Sequence, residues 1–339
     1  MSTFRSSRPA VLELAAKYKE LIIQLDNNVA SSKSPEEQEA AERILFSEMC
    51  EICLWGNATD LSLLTSLSYE DIQKLQGTGA RKNSENNILV NDLPAAYSVL
   101  KAAQKANPKG PRRVDIVLDN ASFELFVDLI LAGYLLSAGL ATEIILHPKS
   151  IPWFVSDVIP ADFSALLGAL ANPQDFYTTP SEDDKHVGRT PAPLREKEKS
   201  DLEFLFQHWS RFHQEGQLLL RPNITWTAAG SYWRLLTTAP RLYDDLKESE
   251  LVIFKGDLNY RKLTGDAMWD PTTPFRTAIG SMGVGSGLRT LALRTCKADV
   301  VVGLGEGVDE RLKGGDEVRE RKWAWSGEWA VVQFCDGRV

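Results

Sequence analysis

The feature that most constrains this chain is a set of short, nearly unbroken apolar runs set apart by longer stretches with helical spacing. Val114-Asp115-Ile116-Val117-Leu118 leads directly into an apolar stretch, Phe123 to Leu140, and then to Glu143-Ile144-Ile145-Leu146. Leu251-Val252-Ile253-Phe254, Val300-Val301-Val302 and Ala330-Val331-Val332-Gln333-Phe334 follow later, and Trp153-Phe154-Val155 is read as a further candidate strand. Strands that are apolar on both faces belong in a mostly parallel sheet covered by helices on each side. The expected fold class is therefore α/β, with a three-layer α/β/α core.

Ahead of this pattern the chain reads as helical. Leu12, Leu14, Ala15, Tyr18, Leu21, Ile22 and Leu25 fall near helical spacing. A second helix starts at Ser34-Pro35-Glu36-Glu37, where Ser34 can cap, Pro35 suits the first turn and Glu37 closes a capping box. It is expected to stop near Gly56 in a left-handed cap. The polar stretch Gln76 to Asn87 reads as a surface loop. Asn172 to Asp201, rich in Pro, Thr and charge, reads as an insertion that could be removed without loss of activity. The domains are thus expected at 1–75, a helical N-terminal part, and 90–339, an α/β domain with an insertion at about 172–201.

With 339 residues, 43% of them hydrophobic, the chain can bury a full core without staples. Its net charge of −8 argues against a nucleic-acid partner. The start of the sequence lacks the apolar core of a secretory signal, and the longest apolar stretch, Leu125 to Ala141, contains Asp128 and is short for a membrane span. Four cysteines are too few for a disulfide scaffold, so the expected setting is the reducing cytoplasm, away from membranes.

In open α/β sheets ligands gather beyond the carboxyl ends of the strands. Asp119-Asn120 follows the first run, Asp157 follows Trp153-Phe154-Val155-Ser156, and Asp257-Leu258-Asn259 follows the Leu251 run. Such oxygen donors suit Mg²⁺ or Mn²⁺, although Asp and Asn at these places also begin turns and cap helices. Basic residues stand near the third site. Lys255, Arg261 and Lys262 surround Asp257, and Arg294-Thr295-Cys296-Lys297 lies further on. A cation together with Lys and Arg is what phosphoryl transfer requires. Lys262 is read instead as part of a solvated charged face.

Other motifs carry less. Cys50-Glu51-Ile52-Cys53 has no second pair and falls in a helix, so it reads as packing. His208 and His213 do not share a helix face, and neither HExxH nor GxSxG occurs. Gly283-Val284-Gly285-Ser286-Gly287 lacks the P-loop lysine, and the first strand has no glycine loop after it. Trp323, Trp325 and Trp329 read as core or lid packing.

Four collinear strings resemble the damage-control phosphatase family, in particular its sugar-phosphate phosphatase subgroup. They are Leu54-Trp55-Gly56-Asn57, Val117 to Leu125, Pro152 to Asp157 and Phe254 to Asp266, the last reading FKGDLNYRKLTGD. Arg294-Thr295-Cys296-Lys297 is similar to that subgroup's RTxK signature. The resemblance implies a metal-dependent phosphatase with a Rossmann-like α/β/α core and a helical N-terminal part. It implies Asp119, Asn120 and Asp157 as the metal ligands and catalytic centre, and Glu124 as a substrate contact. It also implies the Asp257, Leu258, Asn259, Tyr260 and Arg261 loop and Lys297 around the phosphate end, with Asn57 lining the cleft; by their chemistry Asp257 and Asn259 suit sugar hydroxyls, and Lys297 the phosphate. The implied partner is a small phosphorylated sugar such as fructose 1-phosphate or fructose 6-phosphate, and the implied metal is Mn²⁺, Co²⁺ or Ni²⁺, with Mg²⁺ less effective. The helical region ahead of Leu54 is shorter than is usual in the subgroup. Two other readings stay open: an S-adenosylmethionine-dependent protein carboxyl methyltransferase, and a metal-binding family member without activity.

Overall fold

The structure, a computed structural model, describes residues 2–27, 34–56, 87–188, 190–314 and 321–339. Seven strands form one sheet: β1 (Ile88–Asn91), β2 (Arg113–Val117), β3 (Glu143–His147), β4 (Leu218–Leu220), β5 (Leu251–Lys255), β6 (Arg289–Thr295) and β7 (Ala330–Asp336). Their order is β1-β7-β6-β5-β2-β3-β4. Every pairing is parallel except β6 with β7. From β2 the chain moves outward through β3 to β4, then returns to the other side of β2 with β5 and β6. The β2/β5 boundary is therefore a topological switch point, where the carboxyl ends of neighbouring strands open a crevice.

The sheet separates two cores with a period of two. Val114, Ile116, Leu251, Ile253, Leu291, Leu293, Ala330 and Val332 face one core. Val117, Val252, Phe254, Ala292 and Val331 face the other. The first face is covered by the helices Arg8–Asn27, Pro35–Trp55, Phe123–Ser137, Pro160–Ala171 and Glu196–Gln214. The second is covered by Pro240–Lys247, Gly256–Leu263 and the loops around Trp226 and Tyr232. This is the expected three-layer arrangement, with the N-terminal helices packed into the first core. Phe123–Ser137 is buried along almost its whole length because helices stack on its outer side. No helix among the described residues is long and apolar enough to cross a membrane.

The capping box Ser34/Glu37 forms as the sequence suggests. Gly56, however, is right-handed (φ −57°), not a left-handed cap. Glycine is required there by proximity, since a Cβ would lie 2.2 Å from Val127 Cγ2. Cys50 and Cys53 are buried on the same helix as packing residues, and the described cysteines are all free thiols. The loop expected over Gln76 to Asn87 lies outside the described residues, save Asn87.

Three expectations are corrected. Trp153-Phe154-Val155 is an exposed loop without a neighbouring strand, and the edge place next to β3 is taken by Leu218–Leu220. Val300-Val301-Val302 is buried but lies outside the sheet. Side chains satisfy its backbone: Gln333 Nε2 donates to Val302 O (2.7 Å) and Val302 N donates to Tyr260 Oη (3.3 Å). Finally, Asn172 to Asp201 is largely helical, with Pro173–Thr178, Glu182–Val187 and the start of Glu196–Gln214. Arg8 donates to the carbonyls of Ala192 (2.6 Å) and Pro193 (2.9 Å), and Leu194 is buried in the first core.

The segment is thus packed structure. Deleting Pro180 to Lys199 removes Leu194 and the first turn of Glu196–Gln214, at a cost of ~3 kcal/mol or more. Thermal denaturation is expected to show a clearly lowered Tm, and an unchanged Tm would contradict this packing.

Candidate functional site

The parallel strands deliver their ends to one edge. Asp119 and Asn120 follow β2 after one intervening residue, Lys149 follows β3 after one, Lys255 closes β5, and Gly256 and Asp257 begin the next helix. The turn after β2 folds against the Asp157 loop. Asn120 and Asp157 form an isolated bridge, Val158 N donates to Asp119 O (3.0 Å) and Ala121 N to Ser156 O (2.8 Å). Two distant carboxylates are in this way held side by side by main chain.

Side chains complete the arrangement. Lys149 Nζ, fully buried, donates to Asp157 Oδ1 (2.6 Å) and stands 3.8 Å from Asp119 Oδ1. The amides of Trp153 and Phe154 each donate to Asp157 Oδ2 (2.7 Å). Asn120 Nδ2 donates to Asp119 Oδ2 (3.0 Å) and Glu124 Oε2 (2.8 Å), while its Oδ1 accepts from Ser156 Oγ (2.6 Å). Behind Glu124, Lys255 Nζ lies 3.5 Å from Glu124 Oε1 and 2.9 Å from Asp128 Oδ1, and it donates to Cys53 O (2.7 Å). Cys53 Sγ donates to Asp128 Oδ1 (3.0 Å).

Local backbone is bent to allow this. Ser122 sits at φ +67°, an unusual conformation for a residue with a side chain, in the turn between Asp119 and Glu124. Gly256 has φ +81°, and a Cβ there would lie 1.9 Å from Asp119 Oδ2. The N-terminal turn of Gly256–Leu263 can approach Asp119 only because residue 256 is glycine.

Four buried carboxylates (Asp119, Glu124, Asp128, Asp157) face two buried ammonium groups (Lys149, Lys255). Fully ionised, the group carries two uncompensated negative charges. The cost appears in the acids. Burial, with the neighbouring Glu124 charge, pushes Asp119 well above the usual carboxylate range, and burial also raises Glu124. Burial would neutralise Lys255, but Asp128, Cys53 and Glu124 outweigh it and hold its pKa well above the ordinary lysine value. Asp128 Oδ2 is buried with no partner among the described residues.

Whether the site suits a divalent cation follows from these donors. Asp119, Asp157 and the Asn120 carbonyl are hard oxygen ligands, and the unmet charge is of the size one such cation supplies. The residues fit the group. Among the described residues no group of three or more His, Cys, Asp and Glu side chains is placed to hold a metal ion.

The remaining sequence candidates divide. Asp257 Oδ1 accepts from Arg294 Nε (2.8 Å) and from the Lys297 amide (3.1 Å), so it fixes the Lys297 backbone. Lys297 is exposed, and its charge acts on Glu124. Leu258 and Arg261 line a neighbouring cavity, where Arg261 pairs with Asp266 (2.7 Å). Asn259 and Tyr260 turn inward. Asn259 accepts from Tyr232 Oη (2.6 Å) and donates to Leu118 O (3.1 Å) and Lys255 O (2.7 Å), and Tyr260 Oη donates to Gln333 Oε1 (2.7 Å). These two side chains tie the helix to the sheet. Asn57 lies outside the described residues. Sequence reasoning passed over Lys149, Asp128 and Gly256. Taking Trp153-Phe154-Val155 for a strand drew attention from His147-Pro148-Lys149, which stands at the end of β3.

The damage-control phosphatase ARMT1-like domain matches residues 1–312. The chain belongs to this family. Damage-control phosphatase ARMT1 of Xenopus tropicalis is 35% identical over 334 residues, which is 98% of this chain and 66% of that protein. The Xenopus laevis protein of the same name is 36% identical over 338 residues (98% and 67%), and the human one 33% over 290 residues (85% and 58%). The chain thus spans about two thirds or less of the length of these relatives. A crystal structure of a DUF89 family protein from Pyrococcus horikoshii aligns with 88% of this chain and 69% of its own, at 14% identity and a TM-score of 0.37, too low for a comparison of folds.

An acid whose pKa is higher folded than unfolded takes up a proton on folding. Its burden on stability is absent below the unfolded value of about 4 and grows as the pH rises toward the folded one. Metal-free Asp119→Asn is therefore expected to melt above metal-free wild type at pH 7.5, with the gap closing as the pH falls toward 4. Mn²⁺ should raise the Tm of the wild type and not of the variant. Equal melting of the two metal-free proteins at pH 7.5 would remove the charge-crowding account.

Proposed function

We propose that the chain is a divalent-cation-dependent phosphatase that hydrolyses phosphomonoesters of sugars, with water taking up the phosphoryl group and the sugar alcohol released. Fructose 1-phosphate and fructose 6-phosphate are the substrates to test first. The observation that carries the reading is the convergence of Asp119, Asn120 and Asp157 at one sheet edge, with two negative charges unmet and a lysine, Lys297, on the exposed side. The relatives' name, damage-control phosphatase, points the same way and suggests metabolite repair.

Asp119, Asp157 and the Asn120 carbonyl would hold the cation, of which Mn²⁺ is the first choice and Co²⁺, Ni²⁺ and Mg²⁺ the others. Bound there, the cation would stabilise charge on the phosphoryl oxygens. Asn120 keeps Asp119 and Glu124 in fixed relation through its amide. Lys149 and the two loop amides keep Asp157 in place. Lys297 brings a mobile point charge to the phosphoryl oxygens, which gain their greatest need of donors as the leaving group departs. Asp257 sets where that lysine stands by gripping its main-chain N–H. The free, buried thiols suit a reducing cytoplasm.

Phosphate release from fructose 1-phosphate with Mn²⁺, abolished by a chelator and restored by added metal, is the expected result. Methyl transfer from S-adenosylmethionine to a protein carboxylate, without phosphate release, would overturn it. Lys297→Ala is expected to lower kcat/KM a hundredfold or more, roughly 3 kcal/mol of transition-state stabilisation, while Mn²⁺ affinity changes little. Steady-state rates near wild type for this variant would remove Lys297 from the phosphate.

A further inference from the structure

Beside the aspartates lies a cavity of about 220 Å³, lined among others by Trp153, Phe154, Trp226, Leu258, Arg261 and Lys262. It is joined to the site by short bonds. One wall, Trp153 and Phe154, is the segment whose amides grip Asp157. Another part of its lining, Leu258, Arg261 and Lys262, belongs to the helix that opens with Gly256 and Asp257. The rings of Trp153 and Phe154 are about half-exposed, with no core to account for them.

Lys262 is the unusual member. The expectation of a solvated charged face is wrong for it. Its Nζ donates inward to the carbonyls of Trp226 (3.1 Å) and Ala228 (2.9 Å) and lies 4.7 Å from the centre of the Tyr232 ring. Burial, and then the charge of Lys149, pull its pKa down to about 8. Among the described residues no carboxylate forms an ion pair with it. The one acid in the lining, Asp266, is taken by Arg261 through two bonds, from Nε (2.9 Å) and Nη2 (2.7 Å). Asp157 acts on it only in part, its carboxylate being held by Lys149 and two loop amides; a partly desolvated ammonium with no carboxylate of its own, at the wall of a cavity, is stabilised when a ligand brings an anion.

We propose that this cavity receives the non-reacting end of the substrate and that Lys262 selects phosphomonoesters whose alcohol half carries a second anionic group, a phosphate or a carboxylate. Trp153 and Phe154 give that half an apolar wall, and Lys262 meets its charge. The inference rests on the phosphatase reading for the word substrate; the binding preference stands apart from turnover.

The test is calorimetric titration of the Mn²⁺-loaded full chain with fructose 1,6-bisphosphate, 6-phosphogluconate and fructose 6-phosphate. Wild type is expected to bind one or both of the first two at least about tenfold more tightly than fructose 6-phosphate, a gap of ~1.4 kcal/mol. The bisphosphate and the gluconate arms separate phosphate from carboxylate as the preferred second group. Lys262→Met should erase the gap. Trp153→Ala, a change at an exposed side chain that the fold does not need, should weaken binding of all three. A gap that survives Lys262→Met, or no gap in wild type, overturns the proposal. Phosphate release measured on the same proteins reports separately on catalysis, so an inactive chain that still shows the Lys262-dependent gap would count against the phosphatase reading alone.

Discussion

Six ionisable groups shut away from water at the ends of β2, β3 and β5 are the constraint to which the rest of this structure answers. Removing charges from water costs several kcal/mol each unless partners are in place. Lys149 between Asp157 and Asp119, and Lys255 between Asp128 and Glu124, supply part of the compensation at 2.6 to 3.8 Å. The remainder is left open, two negative charges' worth, in the raised pKa values of Asp119 and Glu124. Such a site is unstable in isolation and is retained by a large fold with two extensive apolar cores. That is the relation expected between a functional site and its scaffold.

The scaffold's contribution can be traced element by element. Lys255 reaches its carboxylates because β5 is central and its final residue alternates onto the face covered by Phe123–Ser137 and Pro35–Trp55. Cys53 and its carbonyl, from the second of these helices, then close the shell around Lys255 and Asp128. The N-terminal helical layer is thus part of the site's support as well as part of the first core. Gly56, pressed against Val127, lets that layer sit close enough to do so.

Much of this was legible in the sequence where a single local rule decides. The apolar runs at Val114, Glu143, Leu251 and Ala330 became β2, β3, β5 and β7, and the carboxylates after β2 and β5 lie at the crevice. The failures share a cause. Leu218–Leu220 is three residues long and Trp153-Phe154-Val155 is equally short, so composition cannot separate them; the presence of a neighbouring strand does. Val300 to Val302 has strand composition, but Val302 bonds to the side chains of Gln333 and Tyr260, distant in sequence, and Val300 to Ala298 and Arg294, so no neighbouring strand is engaged. Lys262 reads as a surface residue and Lys149 attracts no reading because lysine is seldom buried, and only tertiary contact reveals that Lys149 is drawn inward by carboxylates and Lys262 by carbonyls.

The string from Lys255 to Asp266 shows why a contiguous motif is a poor guide to which side chains act. It folds as a short helix, so its positions alternate with a helical period. Asn259, Tyr260, Leu263 and Thr264 are buried and tie the helix to the sheet through Leu118, Gln333 and the carbonyls of the preceding turn. Gly256 and Asp257, at the amino end, meet Asp119 and the Lys297 segment. Leu258, Arg261 and Lys262, along the outer side, line the cavity. One helix of two turns therefore joins the carboxylates to the pocket beside them. Half of its residues set its position, and their burial is what allows the other half to face the carboxylate edge and the cavity beside it.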